Sequence, residues 1–313
     1  MKFPVFDLHC DTAEKLIRFG DSEPSELKSN DAHIDLDRAS KLPGYAQCFA
    51  CFTTTDSAVN PVDLFEKKMT AILREISKNY QKISQVFDPA EIESNLNNGV
   101  MSAILTIEGP AGFGFDPELL EDLYKVGFRI STLGWNEKNP LTGSHITGGG
   151  LTDLGREYVK EAQRLGMLID VSHISDEGFW DIMEITRAPI VASHSNSRSV
   201  YDVSRNLTDD MFLQICKTDG VVGVNFVADF LGDNPDIDTV CDHIFHLLEL
   251  DPDGRHVALG SDLDGCEKLP VGFEGIQGYP LLAERLSQRG LDGKTIYNIF
   301  WNNALEVFKR CST

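Results

Sequence analysis

The stretch MLIDVSHISDEGFWDIMEITRAPIVASHS, residues 167–195, contains the unit that decides the fold. Two short apolar runs, 167–171 and 189–193, flank a segment with helical periodicity. The runs are rich in Val, Ile and Leu with little alternation of polar residues, which is typical of parallel strands covered on both faces. The pattern predicts a strand, a crossover helix and a second parallel strand, followed by His173 and His194 respectively.

The same alternation recurs along the whole chain. Eight apolar runs are predicted as strands: 5–9, 46–52, 101–107, 128–133, 167–171, 189–193, 221–226 and 256–261. Helical segments are predicted at 61–80, 151–165, 175–186, 208–218, 236–250, 280–288 and 292–309. Eight strands that alternate with helices predict a (β/α)8 TIM-type barrel. A doubly wound open sheet is the alternative, but it normally has fewer strands and often a glycine-rich first turn, which residues 9–12 lack.

Length and composition fit a single catalytic domain over residues 1–313. The chain has 28 basic and 49 acidic residues, a net charge of −21, and 42% hydrophobic residues, as in an ordinary globular protein. Barrels of this kind often exceed ~250 residues as one unit, and no long linker divides the sequence. The acidic balance argues against nucleic acid or an anionic membrane as a partner, because such surfaces attract clustered Lys and Arg.

The sequence predicts a cytoplasmic protein. No apolar run approaches the ~20 residues that cross a bilayer, and the first nine residues lack the apolar core of a signal peptide. The seven cysteines are therefore expected to be reduced. Cys48 and Cys51 form a C-x-x-C pair, but they lie in an apolar, strand-like segment and are predicted to be structural, not a redox or zinc motif.

Histidine and carboxylate residues follow five of the predicted strands. His9 and Asp11 follow the first strand, Glu108 the third, His173 the fifth, His194 the sixth, and Asp262 and Asp264 the eighth. Because barrel active sites lie at the C-terminal ends of the strands, we expect these groups to converge on one pocket. Three imidazoles with carboxylates suit zinc or a similar divalent ion. The sequence therefore predicts a metal site, in which a carboxylate such as Glu108 can bridge two cations.

The remaining histidines receive ordinary interpretations. His33, His243, His246 and His256 are predicted to lie in a loop, on a helix or at a strand start, away from the chemistry. His145 is predicted to be a surface-loop residue, with contact to a substrate as the alternative. Asp170 is interpreted as a structural residue at a strand end, and orientation of a ligand histidine is the alternative.

Motifs along nearly the whole chain are shared with a known family. They include Asp7-Leu8-His9-Cys10-Asp11, Ile107-Glu108-Gly109, Val171-Ser172-His173, Ser193-His194-Ser195, Ser204-Arg205-Asn206 and Gly260-Ser261-Asp262-Leu263-Asp264. With these motifs the chain resembles the membrane dipeptidase (renal dipeptidase) family, peptidase family M19, of the metal-dependent amidohydrolase superfamily. It is most similar to the soluble microbial branch of that family.

The resemblance implies a dipeptidase with two zinc ions per chain. By matching position, His9, Asp11 and Glu108 would hold one zinc, and Glu108, His173 and His194 the other. Glu108 would thus bridge the two ions, and a hydroxide between them would attack the peptide bond.

The resemblance also implies roles for two further residues. Arg205 matches the arginine that binds the substrate carboxylate, for which its planar fork is suited. Asp262 matches the aspartate that contacts the substrate and passes the proton of the attacking water to the leaving amine. Asp264 lies further into the loop, and from that position we expect it to cap the next segment or to bind a backbone amide. The implied partners are small dipeptides, including those with a D-residue at the C-terminal position, and a second copy of the chain in a homodimer.

One stretch departs from the mammalian pattern. Trp135-Asn136 follows the fourth predicted strand, where the mammalian enzyme has a histidine that assists the carbonyl oxygen; bacterial-looking members carry similar Trp-Asn sequences. This departure motivates a second hypothesis, a sister amidohydrolase that acts on another amide, lactone or ester. A third hypothesis is a catalytically silent metal-binding protein, which the loss of a ligand or of Asp262 would favour.

Overall fold

The computed structural model describes residues 2–17 and 24–311. Within them, nine strands form one parallel sheet: β1 Val5–Cys10, β2 Tyr45–Phe52, β3 Ile83–Gln85, β4 Met101–Glu108, β5 Phe128–Thr132, β6 Leu168–Asp170, β7 Ile190–Ala192, β8 Val221–Val224 and β9 Val257–Leu259. Eight of them close a barrel in the order β1-β2-β4-β5-β6-β7-β8-β9, because β2 pairs with β4 and β9 pairs with β1. The predicted (β/α)8 barrel is confirmed.

The ninth strand, β3, was not among the predicted strands. β2 pairs with β4 along one edge, so β3 and β5 share the other edge of β4. Ile83 of β3 pairs with Met101 near the start of β4, and Phe128 of β5 pairs with Leu105 further along. The strand escapes sequence analysis because it has three residues in a polar stretch, too short for a period-2 pattern.

Helices surround the barrel. They are α1 Thr12–Lys15, α2 Leu36–Ala39, α3 Pro61–Lys78, α4 Pro89–Asn98, α5 Leu120–Val126, α6 Asp153–Leu165, α7 Asp176–Ile185, α8 Asp209–Lys217, α9 Ile237–Leu250, α10 Tyr279–Gln288, α11 Gly293–Tyr297 and α12 Asn303–Cys311. A π-helical turn, Asn298–Asn302, divides the single helix predicted at 292–309. Among the described residues, no helix combines the length and apolar character needed to span a bilayer.

The apolar interior of the barrel is closed at its N-terminal end by the π-helical turn and α12. The inner layer takes residues from every barrel strand: Leu8, Cys48, Ile104, Ile130, Leu168, Val191, Val221 and Ala258. Trp301 and Phe308 belong to the same cluster, and Phe308 stacks on Phe6 of β1 with ring centroids 5.5 Å apart. The opposite, C-terminal end of the barrel is therefore the end that is left for a site.

The positions of Cys48 and Cys51 in β2 indicate a structural role for both cysteines. Cys48 lies in the inner layer, whereas Cys51 belongs to the outer cluster between the barrel and the helices. Both thiols are buried and free. Because the two side chains lie in different layers, they do not form a joint metal or redox site.

Candidate metal centre

A β-bulge places His9 at the barrel mouth. Asp7 of β1 pairs with Gln47 of β2, but the next pair joins Cys10 to Phe49, so β1 has one extra residue between the two pairs. Such a bulge breaks the alternation of side chains and re-aims them, often beside active sites. As a result His9 and the inner-layer residue before it both turn toward the barrel axis, and His9 reaches the cluster of predicted ligands.

A buried carboxylate joins the first and last strands of the barrel, β1 and β9, beneath this cluster. Asp7 is wholly buried and accepts hydrogen bonds from the backbone N–H of His9 at 3.0 Å and of Ser261 at 3.0 Å. The hydroxyl of Tyr279 donates to the same carboxylate at 2.5 Å. Asp7 thus fixes β1 and β9 where the chain leads into His9 and Asp262.

Glu108, the last residue of β4, stands between two groups of ligand atoms. Its Oε2 lies 3.3 Å from His9 Nε2. Its Oε1 lies 3.1 Å from His173 Nε2 and 3.7 Å from His194 Nε2. His9 Nε2 is also 3.4 Å from Asp11 Oδ2. The five predicted ligands are therefore brought together, and the two carboxylate oxygens of Glu108 face different histidines.

Asn136 orients His173. His173 follows β6 and has a left-handed φ of 69°. Such a φ is uncommon for a residue other than glycine and marks strained functional positions. His173 Nδ1 donates to Asn136 Oδ1 at 3.0 Å, so its Nε2 keeps the lone pair that faces Glu108. His145 Nε2 contacts the same Asn136 oxygen at 3.0 Å, and its Nδ1 contacts Ser204 Oγ at 3.0 Å. His145 lies in the loop, as predicted, but it is half-buried and contacts the asparagine that bonds His173.

A serine and an aspartate orient His194. The hydroxyl of Ser193 donates to Asp170, an acceptor-only carboxylate, so the serine oxygen accepts from His194 Nδ1 at 2.7 Å. The backbone N–H groups of Ser172 and Ser193 donate to the other oxygen of Asp170, each at 2.9 Å. His194 Nε2 is thereby left unprotonated. Asp170 orients a ligand histidine through Ser193, which is the alternative role considered for it.

The buried donor atoms fit divalent cations. His9 Nε2 and Asp11 Oδ1 are buried without a hydrogen-bond partner. The unprotonated Nε2 atoms of His173 and His194 lie 2.9 Å apart, an arrangement of two lone pairs that a cation would stabilise. A Cβ atom at Gly265 would lie 2.3 Å from Asp11 Oδ2, so this glycine keeps the space beside the ligands open. Imidazole and carboxylate ligands in this number suit zinc or a similar ion.

Burial strongly affects the protonation of three of the ligands. It lowers the pKa of His173 to about 3 and the pKa of His194 well below its usual value, so both rings are neutral and can coordinate a cation. Burial and the neighbouring Glu108 carboxylate raise the pKa of Asp11 to about 8. A bound cation would favour the ionised form of Asp11 and lower that pKa again.

Asp262 follows β9 and lies within reach of the same ligands. Its Oδ1 is 3.9 Å from His9 Nε2, and its Oδ2 accepts a hydrogen bond from Asn225 Nδ2 at 3.0 Å. Burial raises the pKa of its carboxyl. Asp262 has a left-handed φ of 62°. Within residues 2–17 and 24–311, two groups have ligand atoms that all lie within 4.8 Å of one another: His9, Asp11 and Asp262, and His9, Glu108 and His194.

Asp264 faces away from this cluster, in a structural network. Its Oδ2 accepts from Thr12 Oγ1 at 2.6 Å and its Oδ1 from the backbone N–H of His33 at 2.6 Å. The backbone N–H of Asp264 donates in return to His33 Nδ1 at 2.9 Å. These bonds link the loop after β9 to the segment after β1.

Arg205 is held directly behind the ligand histidines. It is 4% exposed and lies just behind the cavity wall, with its Cζ 5.6 Å from the ring centroid of Phe230, a residue of that wall. Its Nη1 donates to Ser195 Oγ and its Nη2 to the carbonyl of His194, both at 2.8 Å. Its Nε is buried without a hydrogen-bond partner. The guanidinium therefore supports the segment that follows β7, and its Nε–H remains available as a hydrogen-bond donor.

The cluster opens into a cavity of about 390 Å³ at the C-terminal end of the barrel. Predicted site residues on its wall are Asp11, Glu108, His173 and Asp262. Aromatic residues Phe52 and Trp135 form an edge-to-face pair on the same wall, with ring centroids 5.0 Å apart. A cavity of this size, partly polar and partly aromatic, suits a small ligand.

Sequence reasoning singled out Asn136 only as a departure from the mammalian pattern, and it assigned neither Asn136 nor Asn225 a supporting role at the site. Both follow barrel strands, at the end where site residues collect, and that position is the one signal that could have identified them. An asparagine carries no metal-ligand signature, so only the contacts to His173 and Asp262 reveal its role.

Removal of the Ser193 hydroxyl is expected to weaken metal binding. In Ser193→Ala, His194 loses the acceptor that orients its ring, and such a loss typically costs 10–100-fold in metal affinity. The affinity is measured by competition with a chromophoric chelator. Ser131→Ala is the matched control, because Ser131 is also a buried serine but bonds Tyr158. Equal affinities of Ser193→Ala and wild type would contradict this role.

One known family and two related proteins match three quarters of this chain or more. The family model of membrane dipeptidase (peptidase family M19) matches residues 1–313. An uncharacterized dipeptidase of Schizosaccharomyces pombe is 33% identical over 246 residues, which cover 76% of this chain and 60% of that protein. An uncharacterized protein of Klebsiella pneumoniae, encoded in the pqqA 5′ region, is 33% identical over 265 residues, which cover 80% of this chain and 97% of that protein.

A solved structure extends the comparison to the whole fold. A metallopeptidase from Rhodobacter sphaeroides, crystallised with a phosphinate mimic of the dipeptide L-Ala-D-Ala, superposes with a TM-score of 0.88 at 25% identity. The match covers 99% of this chain and 100% of that chain.

Proposed function

This chain belongs to the membrane dipeptidase family, peptidase family M19, and from that premise we propose that it is a binuclear zinc dipeptidase. Membership of this metallo-dipeptidase family implies metal dependence. The proposed substrates are free dipeptides, including those with a D-residue at the C-terminal position. The proposal extends to one catalytic domain over residues 1–313, a cytoplasmic location and a homodimer.

The observation that carries the proposal is the division of Glu108 between two ligand groups. Its Oε2 faces His9 and its Oε1 faces His173 and His194, which supports a bridging role. We assign one zinc to His9, Asp11 and Glu108 and the other to Glu108, His173 and His194. When bound, two such cations acidify the attacking water and polarise the scissile carbonyl.

Asp262 is proposed to move the proton. Its Oδ2 is held by Asn225 and its Oδ1 faces the ligand cluster from the cavity wall. Burial raises the pKa of this carboxyl, which makes it a better acceptor for the proton of the attacking water. The same carboxyl then donates that proton to the leaving amine, because a free amine is the product that departs.

Arg205 is proposed to bind the C-terminal carboxylate of the substrate. If so, C-terminally amidated dipeptides are poor substrates of the wild type, because the amide offers no negative charge. Arg205→Lys is expected to lower kcat/KM for free dipeptides by roughly 10- to 100-fold, since lysine keeps the charge but loses the planar fork. Steady-state kinetics on paired free and amidated dipeptides measure both effects. Equal rates for the two forms in the wild type would count against this role.

A panel of dipeptides tests the proposed function directly. The metal-loaded chain is assayed with L-L, L-D and D-L dipeptides, and we expect turnover of L-L and L-D compounds. Trp135-Asn136, where the mammalian enzyme has a histidine, supports the alternative of a sister amidohydrolase for another amide, a lactone or an ester. Turnover of such compounds without turnover of any dipeptide would favour the alternative.

A further inference from the structure

A wholly buried lysine lies behind the wall of the cavity. Lys68 of α3 is 0% exposed, and its Nζ donates to Glu14 Oε1 and to the carbonyl of Phe52, each at 2.7 Å. The ammonium also lies 4.8 Å from the centroid of the Phe52 ring. A charge taken out of water is costly unless it is paired and hydrogen-bonded. The bonds of Lys68 to Glu14 and to the carbonyl of Phe52 meet this requirement. Its contacts fix the carboxylate of Glu14 against the end of β2.

Glu14 is part of the cavity wall. It lies on α1, three residues after the ligand Asp11, and 36% of its side-chain surface is exposed. The aromatic pair of the same wall, Phe52 and Trp135, adjoins Glu14, because Lys68 bonds both Glu14 and the carbonyl of Phe52 at the end of β2. Because Lys68 restricts the Glu14 side chain, the carboxylate is pre-organised for a ligand and loses little freedom on binding.

Glu14 and Arg205 lie on opposite sides of the barrel mouth. Lys68 ties Glu14 to the end of β2, whereas Arg205 bonds His194 and Ser195, which follow β7. In the eight-stranded barrel β2 and β7 are four strands apart, which is half of the circumference. A dipeptide whose C-terminal carboxylate binds Arg205 therefore extends its N-terminal residue toward Glu14.

We propose that Glu14, held by Lys68, binds a cationic side chain on the N-terminal residue of the substrate. The preferred substrates are then dipeptides that begin with lysine or arginine; this inference rests on the proposed function above. The aliphatic stem of such a side chain packs on the Phe52–Trp135 pair while its charged head reaches the carboxylate. Among the described wall residues nearer the solvent, Asp229 and Glu267 outnumber the single lysine, Lys268. This excess of negative charge also favours a positively charged side chain on the substrate.

The experiment compares L-Lys-L-Ala with L-norleucyl-L-Ala. Both carry the same α-ammonium and a similar stem, so the ratio of their kcat/KM values isolates the side-chain charge. We expect a ratio above ten in the wild type and a roughly tenfold lower ratio in Glu14→Gln. Glutamine still offers an oxygen to Lys68 Nζ, and thermal unfolding verifies that the variant folds. Glu26→Gln is the matched control, because Glu26 also accepts from a lysine, Lys78, at 2.6 Å but lies outside the cavity.

The outcomes separate this inference from the proposed function. A wild-type ratio near one, a ratio that survives in Glu14→Gln, or an equal loss for both substrates would overturn the inference while dipeptide hydrolysis stands. Calorimetric binding of free L-lysine and L-norleucine tests the same subsite without turnover. We expect L-lysine to bind more tightly to the wild type and to lose roughly tenfold in affinity in Glu14→Gln. Equal binding of the two amino acids would overturn the inference even if no dipeptide is hydrolysed.

Discussion

Replacement of Asp262 by asparagine is expected to lower kcat by a factor of roughly 10²–10⁴, the usual contribution of a general acid–base group. Asparagine still accepts from Asn225 Nδ2 through its own oxygen, and it tolerates the left-handed φ of 62° at this position. Folding and metal content are therefore expected to stay nearly intact. The measurement is steady-state kinetics on variant protein whose metal content has been verified by elemental analysis.

Asp264 provides the matched control for this prediction. Asp264→Asn alters the bonds to Thr12 and His33 and is expected to lower the free energy of unfolding by about 1–3 kcal/mol. Its effect on kcat is expected to be small, since its side chain is bonded away from the ligand cluster. A metal-replete Asp262→Asn variant with near wild-type kcat would contradict the assignment. Loss of turnover in Asp264→Asn alone would contradict it equally.

Removal of metal is expected to abolish activity completely. We expect about two transition-metal ions per chain in the purified protein, loss of turnover in a chelator, and recovery with Zn²⁺, Co²⁺ or Mn²⁺. The metal-free chain should also unfold at a lower temperature, because an ion that binds only the folded state stabilises it. Elemental analysis, activity titration and thermal unfolding measure these effects.

Glu108→Gln extends the metal prediction to the bridging role. A neutral amide has one oxygen and cannot bind two cations as a carboxylate does, so the variant is expected to retain about one ion per chain or fewer. Full activity in excess chelator, or two tightly bound ions in Glu108→Gln, would contradict the binuclear assignment.

The sequence predicted the barrel because its apolar runs are separated by helices with regular spacing. It also predicted which side chains meet, since parallel strands of a barrel end at the same opening. Glu108 and His173 are 65 residues apart, yet each is simply the residue at or near the end of its strand. For these groups, local periodicity together with one topological rule was sufficient.

The remaining features depend on contacts that periodicity does not encode. The bulge between Asp7 and Cys10 follows from how β1 pairs with β2, which no single strand reveals. The bond from His173 to Asn136 spans 37 residues and depends on the course of a loop. Lys68 lies on the core-facing side of α3, in line with Leu64 and Ile72, and only the folded chain shows that it is wholly buried there and which groups its ammonium contacts.

The closure of the barrel through β1 and β9 has a consequence for the order of synthesis. β1 leaves the ribosome before its partner on one edge, β9, because Asp7 pairs with the much later Leu259. Until then β1 presents an unpaired edge, and the apolar interior is open along the same seam. His9 and Asp262 meet only when that seam closes, so the proposed proton carrier joins the metal ligands only after β9 has been made. Fragments released early would expose both the edge and the interior to the chaperones and proteases of the cell.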